Sequence, residues 1–163
     1  MFKNKLVFIL FLFVFLSACS DELDPLQTFN AGNYETSFTL WKELADRGDN
    51  TAQNYLGIQY YLGLGVERNI KQAFHWYETS AKAGNPEAQR NLGAMYESGV
   101  LGNRDFEKAY IWLYAAYKQG NSNAAKTLES ISGQLSPGRV RKLKKLSIQY
   151  VLNDIVDPER DDF

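Results

Sequence analysis

The sequence contains one cysteine, one histidine and four prolines in 163 residues. One cysteine cannot form an internal disulfide, and one histidine is too few for the cages that hold structural zinc, so we expect no metal and no cofactor. The net charge of −1 gives no basic excess, which argues against a nucleic-acid-binding surface. The composition is otherwise that of an ordinary globular protein, with 45% apolar and 14% aromatic residues, so the chain can form a hydrophobic core without crosslinks.

The first 19 residues have the arrangement of an export signal. Lys3 and Lys5 precede eleven consecutive apolar residues at positions 6–16. As a helix this run spans roughly 16 Å, about half of a hydrocarbon core, so it fits a secretory signal better than a permanent membrane span. The sequence Leu16-Ser17-Ala18-Cys19 then resembles the lipobox of bacterial lipoproteins, in which the cysteine receives diacylglycerol.

The lipobox resemblance implies that residues 1–18 are removed, that Cys19 is lipidated and that residues 19–24 form a tether. The alternative is an ordinary signal peptide that happens to contain a cysteine. Lipoproteins with aspartate directly after the cysteine tend to stay on the inner membrane, whereas Ser20 follows here. The expected location is therefore the bacterial cell envelope, on the outer membrane and facing the periplasm, with the lipid as the membrane contact.

An internal repeat dominates the rest of the sequence. Many residues recur unchanged when the chain is shifted by 36 positions. Ala52, Leu56, Gly57, Tyr60 and Gly63 recur as Ala88, Leu92, Gly93, Tyr96 and Gly99, and Ala73, Trp76 and Gly84 recur as Ala109, Trp112 and Gly120. A third, partial copy continues through Ala124 and Leu128, so the chain repeats one structural unit.

Each unit predicts two helices. The expected N-caps of one helix per unit are Asn33, Asn69 and Asp105, and Gln72 stands at the capping-box distance from Asn69. Those helices are expected to end at left-handed glycines, which are Gly48, Gly84 and Gly120. Gly57 and Gly93 recur inside the other helix, where glycine costs about 1 kcal/mol, so we expect a neighbouring helix to approach closely there.

The buried face of the capped helices follows from the spacing i, i+3, i+4, i+7 and i+8. It reads Ser37, Leu40, Trp41, Leu44 and Ala45, then Ala73, Trp76, Tyr77, Ser80 and Ala81, then Ala109, Trp112, Leu113, Ala116 and Tyr117. One helical face thus repeats three times.

These residues resemble Sel1-like repeats, which are related to tetratricopeptide repeats. The first repeat matches at Ala52, Leu56-Gly57, Tyr60, Gly63, Gly65-Val66, Ala73, Trp76-Tyr77 and Gly84. The chain departs from the pattern at Asn69 in place of aspartate, at the turn Gly99-Val100-Leu101-Gly102 and at Trp112-Leu113. The resemblance covers residues 33–131 and implies an all-α solenoid of antiparallel helix pairs, with about eight helices after the signal peptide.

Capping helices are expected at both ends because each unit buries its apolar face only against neighbours. Asp24-Pro25 with Leu26 and Phe29 predicts a short helix at the start of the solenoid domain, which we place at 25–131. Ser136-Pro137 predicts a closing helix, placed at 136–152.

The closing helix is rich in basic residues, namely Arg139, Arg141, Lys142, Lys144 and Lys145. They form either a solvated face or a patch for an anionic lipid or an acidic partner. The tail that follows, residues 153–163, is acidic.

The face of the other helix that points away from the core is predicted to line a concave groove, as in tetratricopeptide-like stacks. Its residues are Asn54, Ile58 and Tyr61 in the first unit, Arg90, Ala94 and Glu97 in the second, and Lys126 in the third. Ile58 and Tyr61 have no core to enter, which favours contact with another protein or a peptide. A merely solvated face is the alternative, because scattered surface apolar residues are normal.

Catalytic constellations are missing from the sequence. A serine or cysteine triad would have to use His75, no Ser-x-x-Lys motif occurs, and Glu97 is the one acid placed on the groove, where glycosidases need two. We therefore expect a lipid-anchored scaffold for protein–protein interaction and no enzyme. The alternatives are an envelope hydrolase or β-lactam-binding protein of the Sel1-like family, and a structural membrane-associated element that uses the basic helix.

Overall fold

A computed structural model describes the backbone of residues 23–151 and the side chains of residues 23–148. Eight α-helices and no strands occupy this range, so the expected all-α fold is confirmed. They are α1 (Pro25–Asn30), α2 (Tyr34–Asp46), α3 (Asn50–Leu62), α4 (Ile70–Lys82), α5 (Pro86–Ser98), α6 (Phe106–Lys118), α7 (Ala124–Ser132) and α8 (Pro137–Val151). The predicted signal peptide, Cys19 and acidic tail lie outside the described residues.

Helices α1 to α7 pack against one another in chain order. Helix α3 also contacts α5, and α8 packs against α6. Successive antiparallel pairs therefore stack into a solenoid whose last helix folds back onto the preceding unit. None of the helices in residues 23–151 has the length and apolar character needed to cross a membrane.

Side-chain caps start most of these helices, as the sequence predicted. The carboxylate of Asp105 accepts from the Lys108 amide at 2.9 Å, and Asn69 accepts from the Gln72 amide at 3.1 Å. The capping box expected at Gln72 is wrong, because the Asn69 N–H donates to the carbonyl of Tyr60 at 2.9 Å.

The cap expected at Asn33 is also wrong. Its side chain makes no capping hydrogen bond, and its ψ of 63° departs from the extended ψ of 101° at Asn69. The short helix α1 fixes the backbone conformation of Asn33, because the Asn33 N–H donates to the carbonyl of Thr28 in that helix at 3.1 Å. The helix stops follow the prediction, with φ near +90° at Gly48, Gly84 and Gly120.

Close helix packing at the repeated glycines is confirmed. A Cβ placed on Gly57 would lie 2.4 Å from Cδ1 of Tyr77, and one on Gly93 would lie 2.6 Å from Cγ of Leu113. Tyr77 and Leu113 occupy the same position of successive repeats, so each glycine makes room for the side chain of the next helix.

Most of the predicted buried face is buried, but the burial expected of Tyr117 is wrong, since it is 46% exposed. Tyr110 lies two turns earlier on α6 and is only 2% exposed. Leu113 and Ala116 are also buried, so only the last turn of α6, at Tyr117, extends beyond the cover of the neighbouring helices. Leu40, Leu44 and Trp76 are half-buried.

Candidate functional site

A concave pocket of about 500 Å³ opens between α3 and α5, with α4 at its base. The residues that line it are Ile58, Tyr61 and Leu62 from α3, Tyr77 from α4, and Arg90, Asn91, Ala94, Met95, Glu97 and Ser98 from α5. The volume lies within the range of ordinary ligand pockets, and the lining is mostly apolar with a few polar groups. We call it the α3–α5 pocket.

The structure brings together five of the seven residues that the sequence placed on the groove. Ile58, Tyr61, Arg90, Ala94 and Glu97 all line the α3–α5 pocket. Their role in binding a partner stays a prediction.

The other two predicted groove residues lie elsewhere. Lys126 is exposed on α7 and does not line the pocket. The exposure expected of Asn54 is wrong, since it is only 5% exposed. Helix α5 packs beside α3 at this point, and Oδ1 of Asn54 accepts a hydrogen bond from Nδ2 of Asn91 at 3.0 Å. Asn54 therefore supports the wall of the pocket.

Arg90 is held in place by a chain of side-chain hydrogen bonds. Its Nη2 donates to Oδ1 of Asn91 at 2.6 Å, and Asn91 in turn donates to Asn54. The Nε atom of Arg90 lies 3.4 Å from a carboxylate oxygen of Glu87. The side chain keeps 35% of its surface exposed, so a fixed guanidinium faces the pocket.

The phenol of Tyr77 forms the base of the pocket and is 4% exposed. Burial raises the pKa of its hydroxyl well above the usual value, and the positive charge of Arg90 opposes that rise in part. The hydroxyl is therefore protonated throughout the physiological range and is available as a hydrogen-bond donor.

Two further side chains shape the rim. Leu62 is 56% exposed and presents an aliphatic surface beside the opening. Arg68 lies behind Tyr61, with its guanidinium 5.9 Å from the ring centroid and its Nε donating to the Tyr61 carbonyl at 3.0 Å. The ring of Tyr61 is thus supported from outside the pocket lining.

Sequence reasoning missed several lining residues, including Leu62, Tyr77, Asn91 and Ser98. Tyr77 was assigned to the core alone, although a buried ring can still present its hydroxyl to a pocket. Leu62 and Ser98 follow Ile58 and Ala94 by four residues, so extending the groove by the helical i+4 spacing finds both.

The basic residues of α8 are partly engaged with the solenoid. Arg139 donates from both Nε, at 2.5 Å, and Nη2 to the carboxylate of Glu107 on α6. The Nζ of Lys144 lies 5.8 Å from the ring centroid of Tyr114. Arg141 and Lys145 are exposed. Part of the basic pattern therefore docks the closing helix.

Within residues 23–151, no group of three His, Cys, Asp or Glu side chains is placed to hold a metal ion. His75 is exposed on α4, with the edge of its ring toward Trp76 at a centroid distance of 5.3 Å.

Solved structures similar to this chain share its fold. A protective antigen present in uropathogenic Escherichia coli strains, described as displaying an SLR fold, superposes with a TM-score of 0.70 at 23% identity, over 80% of this chain and 30% of its own. A Sel1 repeat protein from Oxalobacter formigenes superposes with a TM-score of 0.64 at 25% identity, over 77% of this chain and 54% of its own. This chain thus spans about a third and about half of those two proteins.

No curated protein sequence matches the chain significantly. The Sel1 repeat family matches residues 50–85 and 86–121, which are the α3–α4 and α5–α6 pairs. These boundaries agree with the 36-residue period and with the glycine stops at Gly84 and Gly120. Residues 50–121 therefore match two Sel1 repeats, and they lie within the helical solenoid described above.

Proposed function

We propose that the chain is a non-catalytic scaffold that recruits another protein through the α3–α5 pocket. The Sel1 repeat fold is commonly a protein-interaction scaffold. The observation that carries the proposal is the pocket itself, in which apolar residues of α3 face a fixed arginine of α5. Concave, mostly apolar sites with a few placed polar groups are typical of ligand and peptide recognition.

The scaffold would act at the bacterial cell envelope, held by a lipid on Cys19. The support is the sequence alone: a short basic start, an apolar run too short to span a bilayer, and the lipobox-like Leu16-Ser17-Ala18-Cys19. With Ser20 after the cysteine, the outer membrane and a periplasmic orientation follow as part of the proposal.

A crosslinking pull-down from cell envelopes tests the recruiting role. The bait is the full chain, compared with a Tyr61→Ala/Arg90→Ala double variant that removes an apolar and a charged part of the pocket. A Lys126→Ala/Glu129→Ala variant on α7 is the matched control, since both residues are exposed and outside the pocket.

We expect the wild type and the α7 control to recover the same proteins and the pocket variant to lose them. Circular dichroism of all three baits checks that the helical content is equal. If the pocket variant recovers the same proteins in the same amounts, the α3–α5 pocket is not the recruiting surface.

A further inference from the structure

We infer that the α3–α5 pocket takes a partner segment in which a carboxylate neighbours an apolar side chain, and that Arg90 selects the carboxylate. This rests on the proposed function and adds to it the chemistry of the partner. Among the described residues that line the pocket, Arg90 is the one basic residue and Glu97 the one acidic residue.

The geometry of Arg90 favours an anionic ligand group. A guanidinium carries five N–H donors, and the contacts to Asn91 and Glu87 engage Nη2 and Nε. Because Asn54 and Asn91 fix the guanidinium before any ligand arrives, little side-chain freedom is lost on binding. Tyr77 lines the same pocket, and its protonated hydroxyl adds a donor at the base of the site.

The rest of the lining favours an apolar side chain next to that carboxylate. Ile58, Tyr61 and Met95 contribute apolar surface, and Leu62 is more than half exposed at the rim. A ligand that carried only an anion would leave this surface in water, whereas covering it with an apolar side chain is favourable.

Glu97 gives the bound segment a direction. It follows Arg90 by seven residues on α5, which places it roughly 10 Å further along the helix. An extended peptide covers that distance in about three residues. The segment that fits therefore has four residues in this order: acidic, apolar, variable and basic. Its acidic side chain would lie at Arg90 and its basic side chain near Glu97.

The test is a peptide array probed with the full chain in detergent micelles. Each peptide contains Glu, an apolar residue, a variable residue and Lys in that order, and each has a twin with Gln in place of Glu. The baits are the wild type, Arg90→Gln, Tyr61→Ala and Lys126→Gln, the last of which removes an exposed cation outside the pocket.

We expect wild type and Lys126→Gln to prefer the Glu peptides about tenfold over their twins, the size of one charge-assisted contact. The Arg90→Gln protein should bind both twins equally. Equal binding of the twins by the wild type, an unchanged preference in Arg90→Gln, or no binding to any peptide overturns the selection by Arg90.

The same array separates this inference from the proposed function. If Tyr61→Ala weakens all binding but the wild type ignores the Glu-to-Gln change, the pocket is the binding site and the carboxylate selection is wrong. If peptides bind and Tyr61→Ala changes nothing, the pocket itself is wrong. Self-association in sedimentation that Arg90→Gln abolishes would identify a second copy as the occupant and would also overturn the inference.

Discussion

Gln59 and Met95 occupy the same position of two successive repeats, yet one is a buried hydrogen-bond donor and the other a buried thioether. Gln59 is fully buried, and its amide donates to the carbonyls of Tyr34 at 2.9 Å and Leu64 at 3.2 Å. Met95 is 5% exposed and forms part of the apolar core. The position therefore joins the first repeat to the start of α2 by hydrogen bonds, whereas in the second repeat it makes apolar contacts.

That difference predicts unequal effects of the same substitution. Gln59→Leu removes the amide that donates to the carbonyls of both Tyr34 and Leu64, so we expect it to lower the free energy of unfolding by about 2 kcal/mol. Met95→Leu conserves volume and polarity and should cost less than about 1.5 kcal/mol. Urea denaturation followed by circular dichroism measures both. Equal losses would contradict the linking role of Gln59.

Gly93 predicts a packing limit between the repeats. In Gly93→Ala the new methyl group would lie 2.6 Å from Cγ of Leu113 and 3.2 Å from the carbonyl oxygen of Ala109. We expect a loss of about 1–3 kcal/mol from overpacking. Gly138→Ala is the control, because a Cβ there meets nothing within 4 Å and alanine favours a helix. Its melting temperature should stay level or rise, whereas equal behaviour of the two variants would refute the close approach.

The ion pair between Glu107 and Arg139 predicts a pH-dependent contribution to stability. The hydrogen bonds from Arg139 hold the pKa of Glu107 below its ordinary value. The contribution is therefore complete above the unfolded pKa, about 4.3, and is lost as the pH falls through the lower folded pKa. Both side chains are about 40% exposed, so it amounts to no more than about 1 kcal/mol.

Urea denaturation of wild type and Glu107→Gln from pH 7 to pH 3 measures that contribution. The difference between them should be constant at neutral pH and shrink toward zero in acid. Glu129→Gln, at an exposed position of α7, is the control for general charge effects. A difference that grows in acid would contradict the pairing.

Asn54 predicts a positioning effect on the pocket. Asn54→Ala removes the acceptor that holds Asn91, and Asn91 in turn accepts from Arg90. We expect a stability loss of about 1–2 kcal/mol and a weaker preference for Glu over Gln peptides. Asn54→Asp retains an acceptor and should restore the preference. A loss of stability with an unchanged preference would limit Asn54 to a structural role.

Cys19 predicts covalent lipidation. Cys19→Ser removes the thiol that would receive diacylglycerol, so we expect an unprocessed precursor that incorporates no labelled fatty acid in cells. Wild type should shift to the mature size and carry the label. A labelled and normally processed Cys19→Ser protein would exclude the lipobox interpretation.

The 36-residue period predicted the helices of the repeats and most of their ends, and the proline-containing starts at Asp24-Pro25 and Ser136-Pro137 predicted the two capping helices. Some of these features depend only on nearby residues, such as the left-handed glycine at Gly84 and the polar cap at Asp105. The close helix packing at Gly93 recurs at the fixed repeat offset. The pocket wall follows from the same periodicity, because Ile58 and Tyr61 share a helical face.

The remaining features depend on contacts that no local pattern encodes. Asn54 is buried because Asn91 of the next repeat reaches it. Tyr117 is exposed because it lies in the last turn of α6, where residues 117–120 are all exposed, although Leu113 and Ala116 before it are buried. Arg139 was predicted as part of a basic face, but only the arrival of α8 beside α6 shows that it pairs with Glu107.

The return of α8 onto α6 makes the two ends of the solenoid mechanically unequal. Within residues 23–151, the main contact of the first pair, α1 and α2, is with α3, whereas α6 packs against α5, α7 and α8. In a chain whose contacts run mainly between sequence neighbours, unravelling spreads from the less secured terminus. Force applied at the N-terminus would therefore unfold the helix pairs one at a time. It would disrupt the α3–α5 pocket before it separated α8 from α6.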